Sequence, residues 1–220
     1  MNILIIGPSW VGDMVMAQSL LICLKQRYPD CHIDVLAPDW SRPLLDRMPE
    51  VRQAISFPLG HGKLEMKTRY RIARQLSGQY QQAIVLPNSL KSAFVPFFAG
   101  IKKRTGWLGE ARYGLLNDYR KLDKARYPLM IERFMALAFE KNAELNKPYP
   151  WPRLSVHQDG IQAALAAFQL NQQKPVLGLC PGAEFGPSKR WPPPHNTALA
   201  SVWTGQILPQ GTNLKQAFVD

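Results

Sequence analysis

Asn2 to Ile6 is short, apolar after its first residue and rich in branched side chains, and it ends at Gly7-Pro8. Met14 to Tyr28 follows with helical spacing, so the chain opens as a buried strand, a turn and a helix. The alternation then repeats. Ile33 to Ala37 reads as a strand, Ser41 to Met48 as a helix and Ala54 to Phe57 as a short strand. Leu64 to Leu76 reads as a basic helix and Ala83 to Leu86 as another strand. Beyond them, Ser89 to Ala99 predicts a helix bent at Pro96, and Tyr127 to Asn142 and Gly160 to Phe168 predict two more. Pro175 to Cys180 is the last strand candidate, and Lys102 to Lys124 reads as loop. Strands alternating with helices predict an α/β fold: a Rossmann-like parallel sheet flanked by helices. The expected domain spans residues 1–170, with a proline-rich connector at Lys147 to Pro152, an interdomain strand and loop over 171–192, and an irregular tail over 193–220.

Hydropathy narrows the setting. The longest apolar stretch, Ala93 to Ile101, is interrupted by Pro96 and is far shorter than the roughly 20 residues of a membrane-spanning helix. The N-terminus has no basic region and runs into a glycine-rich turn, so a cytoplasmic protein without a signal peptide is expected. Cys23, Cys31 and Cys180 lack metal-ligand spacing and fit reduced thiols. The four histidines share no such spacing either, and no metal is expected.

Charge adds a second dimension. Of the net +11, the segment Gly60 to Arg133 carries 15 basic and 5 acidic residues, hence +10. A stripe so confined predicts a polyanionic partner: nucleic acid, an anionic membrane face or a phosphorylated substrate. Lys67, Arg71 and Arg74 fall at i, i+4 and i+7 on one side of a helix. Aromatic residues are not interleaved with these cations, and no nucleic-acid-binding signature is present, so nucleic acid is not the expected partner. The plainer alternative is a solvated face.

Two glycine-rich turns follow strands. In the first, Gly7-Pro8-Ser9-Trp10-Val11-Gly12-Asp13, a substrate can approach backbone and a helix N-terminus. Asp13 there either takes a proton from a hydroxyl as general base or serves as a cap complementing the helix dipole. The spacing is not that of a dinucleotide fingerprint. The second turn, Cys180 to Trp191, combines Gly182 and Gly186 with Lys189 and Arg190. It suits a diphosphate, or equally a surface loop with two solvated cations, and it lacks the order of a P-loop.

Together, IIGPSWVGDMVMAQSL, RPLLDRMPEV, PLGHGKLE, VLPNSLKSAFVPFFAGIKKRTGWLGEARYGLLND and CPGAEFGPSKRWP resemble the lipopolysaccharide heptosyltransferase II family from Met1 to Pro192. The resemblance implies the N-terminal domain of an inverting GT-B glycosyltransferase, which moves L-glycero-D-manno-heptose from ADP-heptose to the first heptose of the lipopolysaccharide inner core. It implies Asp13 as general base, with Ser9 and Gly12 lining the same turn. Gly182, Ala183 and Lys189 would then contact the donor diphosphate. The expected partners are ADP-heptose as a substrate rather than a bound cofactor, the heptosyl-Kdo2-lipid A acceptor, and the cytoplasmic face of the inner membrane. Lys63, Lys67, Arg71, Lys91 and Arg112 are the candidate acceptor contacts. The competing class is a non-enzymatic basic module that holds anionic glycolipid or nucleic acid.

After Pro192 the sequence departs from the family pattern of a further helix and a nucleotide-binding domain. A frameshift with an early stop is expected there, and little transferase activity from the 220 residues alone.

Overall fold

The computed structural model describes residues 1–58, 64–171 and 173–180, together with 182, 188, 190, 192, 201, 203, 206 and 207. The chain divides into two compact units, Met1–Ser155 and Val156–Asp220. The boundary expected at residue 170 falls within the second unit.

The first unit is built on six parallel strands in the order β3-β2-β1-β4-β5-β6. They are β1 (Asn2–Ile6), β2 (His32–Ala37), β3 (Val51–Ser56), β4 (Gln82–Val85), β5 (Lys103–Trp107) and β6 (Asp118–Arg120). Strand order reverses between β1 and β4, which is where open α/β sheets place their ligand crevice. Both faces of the central strands are covered, so these strands carry apolar residues at successive positions. In β1, Ile3 and Ile5 enter a core with α1 (Val11–Arg27) and α5 (Met130–Met135), while Leu4 and Ile6 enter the opposite core with α3 (Met66–Leu76) and α4 (Phe94–Phe98).

Lys102 to Lys124 is not all loop: β5 and β6 lie inside it. Their polar residues bond across the strands. Gln82 Nε2 donates to Thr105 Oγ1 at 3.2 Å, and Thr105 Oγ1 donates to Asp118 Oδ2 at 2.9 Å. Gly106 has a packing reason, since a Cβ there would sit 3.0 Å from the Val85 carbonyl oxygen and 3.1 Å from Leu116 Cδ1. The helix expected over Tyr127 to Asn142 is short, with α5 followed by a 3-10 turn at Ala136–Ala138. Side chains from elsewhere take carbonyls at this end: Trp107 Nε1 bonds Arg133 O, Arg120 Nη1 bonds Ala136 O and Arg27 Nη1 bonds Ala138 O. The helix expected over Ser41 to Met48 contracts to a 3-10 turn at Asp39–Ser41 and α2 (Arg42–Leu45). Ser89 to Ala99 divides into a 3-10 turn, Leu90–Ala93, and α4.

The residues after the connector return to the first unit. Gln18, fully buried on α1, donates to Arg153 O at 2.9 Å and accepts from Arg153 N at 2.9 Å, and Ser155 N bonds Arg47 O. The second unit contains α6 (Gln158–Ala167) and a parallel pair, β7 (Val176–Leu177) with β8 (Gln206–Ile207). Strand β8 falls in the tail expected to be irregular. The remainder of 193–220, apart from 201 and 203, lies outside the described residues.

Asp34 is a buried carboxylate in β2. It accepts from Arg52 Nε at 2.9 Å, Arg52 Nη2 at 2.5 Å and the Tyr80 hydroxyl at 2.7 Å. Burial and this hydrogen bond push the Tyr80 phenol up. Because the folded pKa exceeds the unfolded one, the associated stability is held below about pH 10 and lost above it. Asp34→Ala should orphan the buried hydroxyl, while half-exposed Arg52 turns to water. A loss of about 2 kcal/mol is expected in urea unfolding, and an unchanged midpoint would show the pair to be energetically idle.

Candidate functional site

A cavity of about 720 Å³ opens where the first unit's strand order reverses. It is bounded by the carboxyl ends of β1, β2 and β4 at Ile6, Leu36 and Leu86, with Trp107 of β5 and Phe134 of α5 beside them. Its size suits a small-molecule or sugar ligand. The turn after β1 supplies Ser9, Trp10 and Asp13, and the segment after β4 supplies Asn88, Ser89 and Lys91.

Gly7 lets the first turn pass close to its helix. A Cβ there would lie 2.7 Å from Met14 Cε and 3.2 Å from both Ala37 Cβ and Val35 Cγ1. Asp13 then falls in the first turn of α1, whose N-cap Trp10 carries no side-chain cap. The Asp13 carboxylate has no hydrogen-bond or ion-pair partner among the described residues. Partial burial raises its pKa above the usual carboxylate value. An unpaired carboxylate whose proton affinity is raised suits proton abstraction better than it suits capping. Gly12 is exposed, outside the cavity lining, and a Cβ there would meet nothing within 4 Å.

The candidate cations separate. Lys91 lines the cavity, and its ammonium has no bonding partner among the described residues. Lys67 and Arg71 are exposed on α3, outside the cavity lining. Arg112, expected to contact acceptor, is instead fully buried. Its guanidinium donates to Pro87 O at 2.7 Å, Ser92 Oγ at 3.0 Å, Ser89 O at 3.4 Å and Trp107 O. Burial lowers its pKa to about 10, so it stays charged at neutral pH. It braces the segment that carries Lys91 and does not present charge to a ligand. Lys63, Ala183 and Lys189 lie outside the described residues, while Gly182 is exposed in the second unit.

Three residues complete the support of this segment. Glu110 Oε2 accepts from Leu90 N at 2.8 Å. Gly109 packs so closely that a Cβ would stand 2.2 Å from Asn88 O. Arg69, a buried member of the basic stripe, donates to Leu64 O at 2.5 Å and Lys91 O at 3.1 Å and lies 5.0 Å over the Phe57 ring. Burial depresses its pKa. Among the described residues, no group of three or more His, Cys, Asp and Glu is placed to hold a metal ion, and no helix is long and apolar enough to cross a membrane.

Comparison with known proteins places this geometry in a lineage. The chain is 54% identical over 217 residues to lipopolysaccharide heptosyltransferase 2 of Escherichia coli, covering 96% of this chain and 61% of that protein. It is 56% identical over 209 residues to lipooligosaccharide heptosyltransferase 2 of Haemophilus influenzae, covering 92% and 60%. The solved structure of E. coli ADP-heptose lps heptosyltransferase II superposes with a TM-score of 0.81 at 51% identity, over 91% of this chain and 60% of that one. The chain thus spans about three fifths of the length of these relatives, and its parallel sheet between two helical layers is the Rossmann-like N-terminal arrangement of GT-B enzymes. The family model for glycosyltransferase family 9 (heptosyltransferase) matches residues 69–206 and so runs past Pro192. By that match the chain belongs to glycosyltransferase family 9, the heptosyltransferases.

Proposed function

We propose that this chain receives the acceptor in an inverting transfer of L-glycero-D-manno-heptose from ADP-heptose to the first heptose of the lipopolysaccharide inner core. The observation that carries the proposal is the unpaired Asp13 carboxylate lining a 720 Å³ cavity at the sheet's switch point, in a member of this family. In the transfer, Asp13 takes the proton of the acceptor hydroxyl as its oxygen bonds to the anomeric carbon. The bond from that carbon to ADP breaks, and its electron pair leaves with the diphosphate. No covalent enzyme intermediate is required, because one displacement inverts the centre.

Arg69 and Arg133 also line the cavity but donate to backbone carbonyls, which leaves Lys91 as the lining cation suited to an acceptor carboxylate or phosphate. Gly182, Ala183 and Lys189 are proposed for the donor diphosphate, where a cation stabilises charge on the leaving group. The protein works in the cytoplasm at the inner face of the inner membrane, where such an acceptor is anchored. Two arms of an ADP-release assay test this. Joined to the part of the E. coli relative that the match leaves uncovered, the chain should release ADP only when heptosyl-Kdo2-lipid A is supplied. Alone, it should bind the acceptor without appreciable turnover. Failure of the joined chain to release ADP would overturn the transferase reading in favour of a binding module.

A further inference from the structure

We propose that the outer face of α3 and α4 seats the protein on an anionic lipid surface, with the cavity mouth at the edge of that footprint. The sequence placed a basic stripe here, and the structure adds its apolar component. Ile72, Ala73 and Leu76 turn α3 inward, which leaves Met66, Tyr70 and Arg74 exposed in a row at i, i+4 and i+8. Lys67 and Arg71 form the adjoining exposed row. Tyr70 is 50% exposed and meets Phe98 of α4 edge-on, with ring centroids 5.6 Å apart. Phe98 also packs against Phe94 and Phe97, and Phe97 is 40% exposed. Arg104 lies 5.5 Å from the Phe97 ring centre, with its guanidinium donating to Ile101 O, Leu115 O and Gly114 O. The result is an aromatic strip bordered by the exposed cations of α3, and α3 itself contains no acidic residue.

That combination fits the boundary of a bilayer. Rings enter the headgroup region, and long cationic side chains reach phosphates around them. The rings contact one another and are not spaced as separate platforms for bases, which argues against single-stranded nucleic acid. A second copy of the chain would set cations against cations. Leu64 and Met66 are exposed and also line the cavity, so this face and the site share a border. The inference deepens the proposed function by giving a lipid-anchored acceptor a route to the cavity, but its test uses no sugar.

The 220-residue chain is sedimented with vesicles of phosphatidylcholine alone or doped with phosphatidylglycerol. Binding is expected only to the doped vesicles. The triple variant Lys67→Gln, Arg71→Gln, Arg74→Gln should lower it by roughly fivefold per cation, on the order of 100-fold in all. Tyr70→Ser with Phe97→Ser should weaken binding at unchanged charge, and unchanged circular dichroism verifies that each variant is folded. Equal binding to neutral vesicles, no binding to doped vesicles, or full binding by the triple variant would each overturn the proposal. So would retention on an oligonucleotide with no vesicle binding. These outcomes leave the ADP-release result untouched, so the two proposals fail separately.

Discussion

Asp13→Asn, in the chain joined to the remainder of its E. coli relative, should lower kcat by about 10²- to 10⁴-fold with little change in the acceptor KM. Asparagine keeps the shape of the side chain but has no lone pair basic enough to take a hydroxyl proton. The wild-type pH profile supplies the sign. Asp13 works as a base only when ionised, and partial burial raises its pKa. Activity should therefore rise with pH through a midpoint above 3.8, and that limb should vanish in the variant. Stability should move the other way. A carboxyl whose folded pKa is raised favours the unfolded state once pH exceeds the unfolded value, so removing its charge should leave the melting temperature at neutral pH unchanged or higher. A cap would show itself in Asp13→Ala, which removes the side-chain acceptor that asparagine keeps and would then cost stability. Lost stability with retained turnover would return Asp13 to a structural role.

The parts of the fold legible in the sequence are those where hydrophobic burial alone selects the residues. β1, β2 and β4 are enclosed on both faces, so their runs are almost wholly apolar, with Asp34 inside β2 a paired exception, and their limits nearly coincide with the expected ones. β5 and β6 escaped because their stability involves polar pairing. Lys103 and Arg104 open β5, Gly106 is required by the close approach of Val85, and Asp118 with Arg120 is nearly all of β6. Such residues read as loop until their cross-strand partners are known. Asp13 was legible as a candidate because it follows a glycine-rich turn at a strand's carboxyl end, a place that left base and cap both open until the family resemblance pointed to the base. The supporting arginines were not, because a cation in a sequence looks the same whether water or carbonyl groups surround it. Arg69 and Arg112 both belong to the basic stripe by position and to the interior by contact. A local signal for Arg112 does exist in its place between Gly109 and Gly114, in a segment that must fold tightly.

Arg112→Met should be the most destabilising single change at the site's margin, because it removes one group that satisfies several acceptors at once. The guanidinium holds Pro87 O, Ser89 O, Ser92 Oγ and Trp107 O from a fully buried position. Methionine fills much of the volume but donates nothing, so these acceptors lose a charged donor without gaining water. An orphaned buried group costs about 1 to 3 kcal/mol. Part of the segment can relax toward solvent, so a net loss of about 3 kcal/mol is expected, read as a lower urea midpoint at constant slope. The local effect separates this from general loosening. Well below the melting temperature, where the variant is folded, Lys91 should no longer be held beside Asp13's cavity, and acceptor affinity should fall. Arg112→Lys should recover part of the stability, since an ammonium retains charge and three donors but cannot span four acceptors with the planar fork of arginine. If Arg112→Met kept both its urea midpoint and its acceptor affinity, the brace would carry no energy, and the Lys91 segment would owe its position to Gly109, Glu110 and Arg69 alone.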